Sequence, residues 1–220
     1  MSDADETACL KTALRAHEIG RDSPYRISFA AKGNSGASFG YMQGDLAAGQ
    51  REARTAFTTC LDRAGLSKDE IDGVVSKLSV HCASNPLTPE ETKRVDDALK
   101  ASSGVVDEMD DSIFAAVKED LDECVTTAKN HERSVSTEAL VYMMLWINMT
   151  GKPSSLLKWL SGQDPKLPKK MSPAPDIVNG DAMVEYLAAT KYYGENPKNF
   201  RHMQQCVATG MKKVEKAGAK

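Results

Sequence analysis

The chain has 220 residues, enough to bury a hydrophobic core, and its apolar (41%) and charged (27%) fractions are typical of a folded globular protein. A formal net charge of −3 argues against a nucleic-acid-binding protein, which would carry a basic surface. The acidic N-terminus lacks the basic and apolar regions of a signal peptide, and the longest apolar run, residues 139–149, is too short to cross a membrane. We therefore expect a single domain over residues 1–220, synthesised in the cytoplasm, with no membrane anchor, no nucleic-acid partner and no cofactor.

The first fifty residues predict a helix followed by a β-hairpin. Residues 8–19 place apolar side chains at helical spacing and carry Glu18 near the C-terminal end. Two β-rich segments, residues 25–29 and 37–42, flank the turn sequence Gly33-Asn-Ser-Gly36, which is typical of a hairpin. The helix dipole does not stabilise a carboxylate at a helix C-terminus. Glu18 is therefore either a solvated carboxylate or a carboxyl that keeps its proton in order to donate it.

From residue 50 onward the sequence predicts helices. The signals are two capping boxes, an apolar stripe at three- and four-residue intervals, and glycines placed as helix stops. In chain order these are Ser67/Glu70, Thr88/Glu91, the stripe over residues 105–125, a helix over 136–148 before Gly151, and a short helix from Ser154 or Ser155 to Trp159 before Gly162. The apolar helix over 136–148 reads as core.

The C-terminal third begins with a proline-rich segment. Residues 162–178 hold four prolines and few apolar positions, so we expect a flexible surface loop. We then expect Asp181 to cap a helix through about Tyr192, and Pro197 to start the last helix, which frays from Lys212. The fold class is therefore α+β, mostly helical with a small β-hairpin near the N-terminus.

One segment carries a family resemblance. In GNSGASFGYMQGD (residues 33–45), the core Phe39-Gly-Tyr-Met-Gln43 follows Glu18 by about twenty residues. This arrangement resembles the lysozyme superfamily, specifically goose-type lysozymes and lytic transglycosylases, in which a glycine, methionine and glutamine core follows a catalytic glutamate. The resemblance covers about residues 10–50. It implies a lysozyme-like fold and muramidase activity, which cleaves the β-1,4 bond between N-acetylmuramic acid and N-acetylglucosamine in peptidoglycan.

The resemblance also implies roles for single residues. Glu18 would be the proton donor and Asp45 the second carboxylate, since glycoside cleavage needs an acid and a group that activates water or stabilises the transition state. The implied substrate-binding residues are Gln43, Ser38, Tyr41, Tyr25 and Tyr192, the last beside Tyr193. Two positions depart from the family: Asn34 stands where goose-type enzymes carry an acid, and Ile19 where both families carry serine. Hydrolysis and formation of a 1,6-anhydro product both stay open.

Each of these residues also has a purely structural interpretation. Glu18 by itself is more often a solvated helix-end carboxylate, and Asp45 could be the N-cap of a helix starting at Leu46. The acidic run of residues 107–111 reads as a solvated face. Residues 33–36 lack the Lys-Ser/Thr of a phosphate loop, so we expect no phosphate-binding loop there. The four histidines are isolated from one another, so we expect no metal site. The five cysteines contain no C-x-x-C pair and are expected to be mostly reduced, with one or two disulfides as the alternative.

The resemblance implies that the protein acts in the periplasm or cell wall on peptidoglycan glycan strands. Without a signal peptide, this fits a phage endolysin or a secreted antibacterial effector, and the acidic charge slightly favours the effector. An immunity or inhibitor protein is then the implied partner. The competing interpretations are a non-catalytic helical binding or structural protein of a secretion or phage system, and an enzyme acting on chitin or a related β-1,4 glycan.

Overall fold

A computed structural model describes residues 2–29, 35–82, 84–151 and 154–218, with side chains through Val214. The structure divides the chain into two compact units, and the single domain over residues 1–220 stays a prediction. One, here called the hairpin unit, is Glu18–Ala115; the other, the terminal unit, combines Met1–His17 with Ala116–Lys220. The boundaries fall inside two helices rather than at the proline-rich segment.

The hairpin unit contains a small antiparallel sheet. Its strands are β1 (Ser28–Phe29), β2 (Ala37–Phe39) and β3 (Gly44–Asp45), in the order β1-β2-β3. Ser28 pairs with Ser38, and Ser38 in turn pairs with Asp45. The predicted hairpin is confirmed, but its second strand ends at Phe39 rather than Met42. The chain turns there because Gly40 adopts a left-handed conformation, with φ of 77°.

Helices cover the sheet of the hairpin unit. They are α2 (Arg51–Arg63), α3 (Lys68–Leu78), α4 (Pro89–Ala101) and the first part of α5 (Ser103–Asn130). Both capping boxes are confirmed, with Ser67 and Thr88 as N-caps, because each side chain accepts from the amide three residues later. The helix expected from Leu46 begins only at Arg51, after a turn. Phe39 and Phe57, both fully buried with ring centroids 5.6 Å apart, lie in the core between sheet and helices.

The terminal unit is built from the helices at both ends of the chain. Its elements are α1 (Asp3–Glu18, except its last residue), the remainder of α5, β4 (Ser134–Val135), α6 (Thr137–Thr150), α7 (Ser154–Leu160), β5 (Ile177–Val178), α8 (Gly180–Ala189), α9 (Lys191–Glu195) and α10 (Pro197–Gly218). The predicted helices before Gly151 and Gly162 are confirmed. Every residue from Ala139 to Ile147 is buried, so α6 is the core helix that its composition indicates.

Three expectations for the terminal unit are corrected. Asn179, not Asp181, caps α8 by accepting from the Ala182 amide, and the helix breaks at Thr190, whose extended backbone starts α9. Helix α10 continues to Gly218 instead of fraying at Lys212. Before that point α10 packs closely on α1, since a Cβ on Gly210 would lie 2.9 Å from the Cys9 carbonyl oxygen.

Hydrogen bonds and a strand pairing hold the proline-rich segment against the rest of the terminal unit. The indole of Trp159 donates to the Ser172 carbonyl at 3.1 Å, and the Arg133 guanidinium donates to the Ala174 carbonyl at 3.0 Å. The end of the segment forms β5, which pairs in parallel with β4. Sequence reasoning missed this pairing because two-residue strands, more than forty residues apart, carry no periodic signal.

Two further observations concern the described residues of both units. All five cysteines are free, and four of them are buried, as expected for packing residues. Among the described residues, no helix is long and apolar enough to cross a membrane.

Candidate functional site

A surface cavity of about 230 Å³ lies in the hairpin unit, beside the end of α1. The described residues that line it are Glu18, Ile19, Asp22, Ser23, Arg26, Ser28, Phe29 and Gln43. Glu18 and Gln43, two predicted site residues 25 positions apart in sequence, therefore line the same cavity. The lining is mainly polar, with one aromatic side chain.

Glu18 is the last residue of α1 and is partly exposed. The helix ends because Gly20 takes a left-handed conformation, with φ of 58°, and the amide of Asp22 donates to the Ile19 carbonyl at 2.9 Å. After this reversal, Asp22, Arg26 and Ser28 line the same cavity as Glu18. The Glu18 carboxylate and the hairpin consequently lie on the same cavity.

Gln43 is held at the cavity by both ends of its amide. Its Oε1 accepts from the Ser28 hydroxyl at 2.8 Å, and its Nε2 donates to the Gly40 carbonyl at 2.9 Å. The backbone of Gln43 is left-handed, with φ of 53°, an uncommon state for a residue other than glycine. Such conformations persist only where the surroundings enforce them, and they concentrate at functional sites.

A buried carboxylate supports the turn that carries Gln43. Asp110, from α5, has no exposed surface, and its two oxygens accept from the backbone amides of Tyr41 at 2.8 Å and Met42 at 3.0 Å. The predicted solvated face of residues 107–111 is thus wrong at Asp110. Helical spacing could have predicted this burial, because residue 110 stands four positions from both Val106 and Phe114, which lie on the buried side of α5.

Burial raises the pKa of Asp110 from an ordinary 3.8 to about 6. The two amide hydrogen bonds act in the opposite direction, whereas the charges of Asp107 and Asp111 raise the pKa further. Protonation of this carboxyl therefore occurs at mildly acidic pH.

We expect Asp110 to make the free energy of unfolding pH-dependent. The folded protein binds this proton more tightly than the unfolded chain, so the contribution is greatest below pH 3.8 and is lost as pH rises through about 6. The loss is about 3 kcal/mol, from 1.36 kcal/mol for each pKa unit. Urea unfolding of wild type and Asp110→Asn between pH 3.8 and about 6 would measure this loss. The contributions of the carboxylates that both proteins share cancel in the difference between their unfolding free energies. Parallel pH curves for the two proteins would contradict the assignment.

Asp45 has a different environment from Glu18. It is almost completely buried, and its Oδ1 accepts from the backbone amides of Gly36, Ala47 and Ala48 at 3.2, 2.7 and 3.2 Å. Asp45 is not among the residues that line the cavity. These bonds favour the capping interpretation over a catalytic one, although Asp45 caps a turn rather than the helix expected at Leu46. Ser38 is buried in β2, paired with Asp45.

The three tyrosines predicted to bind substrate do not line the cavity. The hydroxyl of Tyr25 donates to Asp107 at 2.9 Å, and the ring packs on the core. The hydroxyl oxygen of Tyr41 is buried. Tyr192 belongs to the terminal unit, where its hydroxyl accepts from Asn199 at 2.9 Å and its ring meets Tyr193 edge-on. These three residues remain predictions of the resemblance only.

The cavity contains functional groups that sequence reasoning did not single out. Asp22 supplies a second carboxylate, and Arg26 lies 3.5 Å from it in an exposed ion pair. Ser28 and Phe29 add a hydroxyl and an aromatic ring. The sequence feature that could have identified these residues is their position: Asp22 and Arg26 follow Glu18 at four-residue steps, and Phe29 ends the first strand. Gly33 and Asn34, part of the predicted turn, lie outside the described residues.

Comparison of the chain with protein-family models, curated proteins and solved structures gave no significant match. Among the described residues, no cluster of three or more metal-ligating side chains is present.

Proposed function

We propose that the protein is a lysozyme-like glycosidase that cleaves the β-1,4 glycan of peptidoglycan, with Glu18 as the proton donor. The observation that carries the proposal is that Glu18 and Gln43 line one cavity, although neither local structure nor sequence spacing requires them to meet. The resemblance of residues 39–43 to the lysozyme superfamily supplies the chemistry. A protonated carboxyl beside the bond would donate to the leaving oxygen, the step that glycoside cleavage requires.

The other lining residues have roles that match a sugar ligand. Phe29 offers a ring for the apolar face of a pyranose, while Gln43 and Ser28 offer an amide and a hydroxyl to sugar hydroxyls. The volume of about 230 Å³ is below the roughly 300–1,000 Å³ of pockets that enclose a drug-sized ligand. A single sugar of a longer strand suits it, with the rest of the strand lying across the surface.

Asp22 is the better candidate for the second carboxylate. Its side chain lines the cavity with Glu18, whereas the Asp45 carboxylate accepts hydrogen bonds from three backbone amides. Arg26 lies beside Asp22 in an exposed ion pair and adds a cation to the same cavity. We therefore assign Asp45 to shaping the turn and Asp22 to transition-state stabilisation.

Peptidoglycan as the substrate places the site of action at the cell wall, with a phage endolysin or an antibacterial effector as the biological setting. An effector would require an immunity partner in the producing cell. Both settings use the same chemistry, so the enzymatic test comes first.

Product analysis on purified sacculi tests the proposal. We expect the wild-type protein to release muropeptides whose masses correspond to cleavage between N-acetylmuramic acid and N-acetylglucosamine. A reducing-end product would indicate hydrolysis, and a 1,6-anhydro product would indicate intramolecular attack by the muramyl 6-hydroxyl. Release from chitin oligomers alone would move the substrate to another β-1,4 glycan. No release from either polymer would contradict the proposal and leave a non-catalytic binding protein.

A further inference from the structure

The turn that carries Gln43 is built around a carboxylate from a helix almost seventy residues later. Both oxygens of Asp110 are used, one for the amide of Tyr41 and the other for the amide of Met42. A carboxylate that accepts from two adjacent backbone amides fixes the direction of that peptide segment, because charge-assisted bonds are short and strong.

Glycine at position 40 is required for this arrangement. A Cβ there would overlap Asp110 Oδ1 and lie 2.7 Å from Met109 Cε. The left-handed φ of 77° is a second requirement that glycine meets without strain. The close approach of the Gly40 backbone is therefore what allows Asp110 to reach the two amides.

The same turn holds the side chain of Gln43. The Gly40 carbonyl accepts from Gln43 Nε2 at 2.9 Å and from the Gln43 backbone amide at 3.3 Å. The other end of the Gln43 amide is bonded to Ser28. A continuous set of hydrogen bonds thus runs from Asp110 through the turn to the cavity.

We propose that Asp110 is a positioning residue, whose ionised carboxylate holds the Gly40–Gln43 turn and so presents Gln43 to the cavity. The link to glycan cleavage rests on the proposed function, whereas the control of the turn does not. Protonation puts hydrogen on one of the two oxygens, and that oxygen then loses most of its ability to accept an amide. The turn then keeps one of its two amide bonds to Asp110, and the orientation of Gln43 is held less firmly.

The surroundings of Asp110 set where this change occurs. The neighbouring turn faces the carboxylate with the amides of Tyr41 and Met42, and the acidic groups that act on it are Asp107 and Asp111 of its own helix. Asp107 in turn accepts from the Tyr25 hydroxyl. Burial among these groups raises the pKa of Asp110 to about 6.

Nuclear magnetic resonance of the full chain tests the inference without any substrate. We expect the side-chain carboxyl carbon of Asp110 and the backbone amides of Tyr41 and Met42 to titrate together, with one midpoint near pH 6. The side-chain amide of Gln43 should shift with the same midpoint. Glu108→Gln, an exposed change two residues away on the same helix, should leave this titration in place. Amides that stay constant while the carboxyl titrates would overturn the inference, and this result needs no variant to fold.

Activity supplies the second readout. In wild type we expect an acid limb in kcat/KM with a midpoint near pH 6; in Asp110→Asn we expect at least a tenfold lower kcat/KM at pH 7 and no such limb. Cleavage with an unchanged limb in the variant would overturn the positioning role while the glycosidase proposal survives. Coupled titration in a protein that cleaves no glycan would support the positioning role and refute the glycosidase proposal.

Discussion

Replacing Glu18 by glutamine should lower the rate of sacculus clearing by about 10²–10⁴-fold, the range that general acid catalysis contributes. Glutamine has the same shape as glutamate but has no acidic proton to give to the leaving oxygen. Because Glu18 is partly exposed at the end of α1, the change should leave folding intact, which thermal unfolding would verify. Turbidity of purified sacculi, followed over time at equal protein concentration, is the measurement.

A matched control separates the loss of an acid from the loss of a negative charge. Glu90 is an exposed glutamate of the hairpin unit, in the first turn of α4 and away from the cavity. Glu90→Gln should clear sacculi at the wild-type rate. Equal clearing by wild type and Glu18→Gln would remove the proton donor from the proposal. If wild type also fails to clear, the protein is not a muramidase under the conditions used.

Gly40→Ala should reduce the free energy of unfolding by about 4 kcal/mol. Holding a left-handed backbone with a Cβ costs roughly 1–2 kcal/mol. In addition, the new Cβ would overlap Asp110 Oδ1, so the carboxylate must move away from the amides of Tyr41 and Met42. Losing a hydrogen bond to a buried charged group costs about 1.5–3 kcal/mol. Equilibrium unfolding in urea at pH 7 is the measurement.

Gly65 provides the control for Gly40. Its φ of 80° is nearly the same as the 77° of Gly40, yet a Cβ on Gly65 would have no heavy atom within 4 Å. Gly65→Ala should therefore lose only the conformational cost of roughly 1–2 kcal/mol. The difference between the two variants isolates the contact with Asp110. Equal losses would mean that the turn and the carboxylate are not coupled.

Local features of the fold were predictable because they depend on neighbouring residues. Ser67 and Thr88 cap helices through hydrogen bonds to amides three positions away, and Gly151 stops α6 through its own conformation. Helix α8 shows the limit of such signals. Asn179 and Asp181 are both suitable caps, and Asn179, which directly follows β5, is the one that the structure uses.

Features that depend on distant parts of the chain were missed or only partly predicted. The pairing of β4 with β5 joins residues more than forty positions apart. Asp110 is buried because the Gly40 turn, about seventy positions earlier, supplies two amides in place of water. An acidic residue in an acidic run otherwise favours a solvated surface. The role of Asp22 likewise depends on the reversal after Gly20, which sequence reasoning did not include.

Local sequence signals predicted most of the helices and the approximate place of the hairpin, because capping, periodicity and turn chemistry act over a few residues. The sequence also identified Glu18 and Gln43 as a candidate pair. Three features came from packing across the chain: these two residues line one cavity, Asp22 lines it with them, and Asp45 accepts from three backbone amides. Burial and hydrogen-bond partners are set by packing between segments remote in sequence, and this packing distinguishes a carboxylate that lines a cavity from one that accepts from backbone amides.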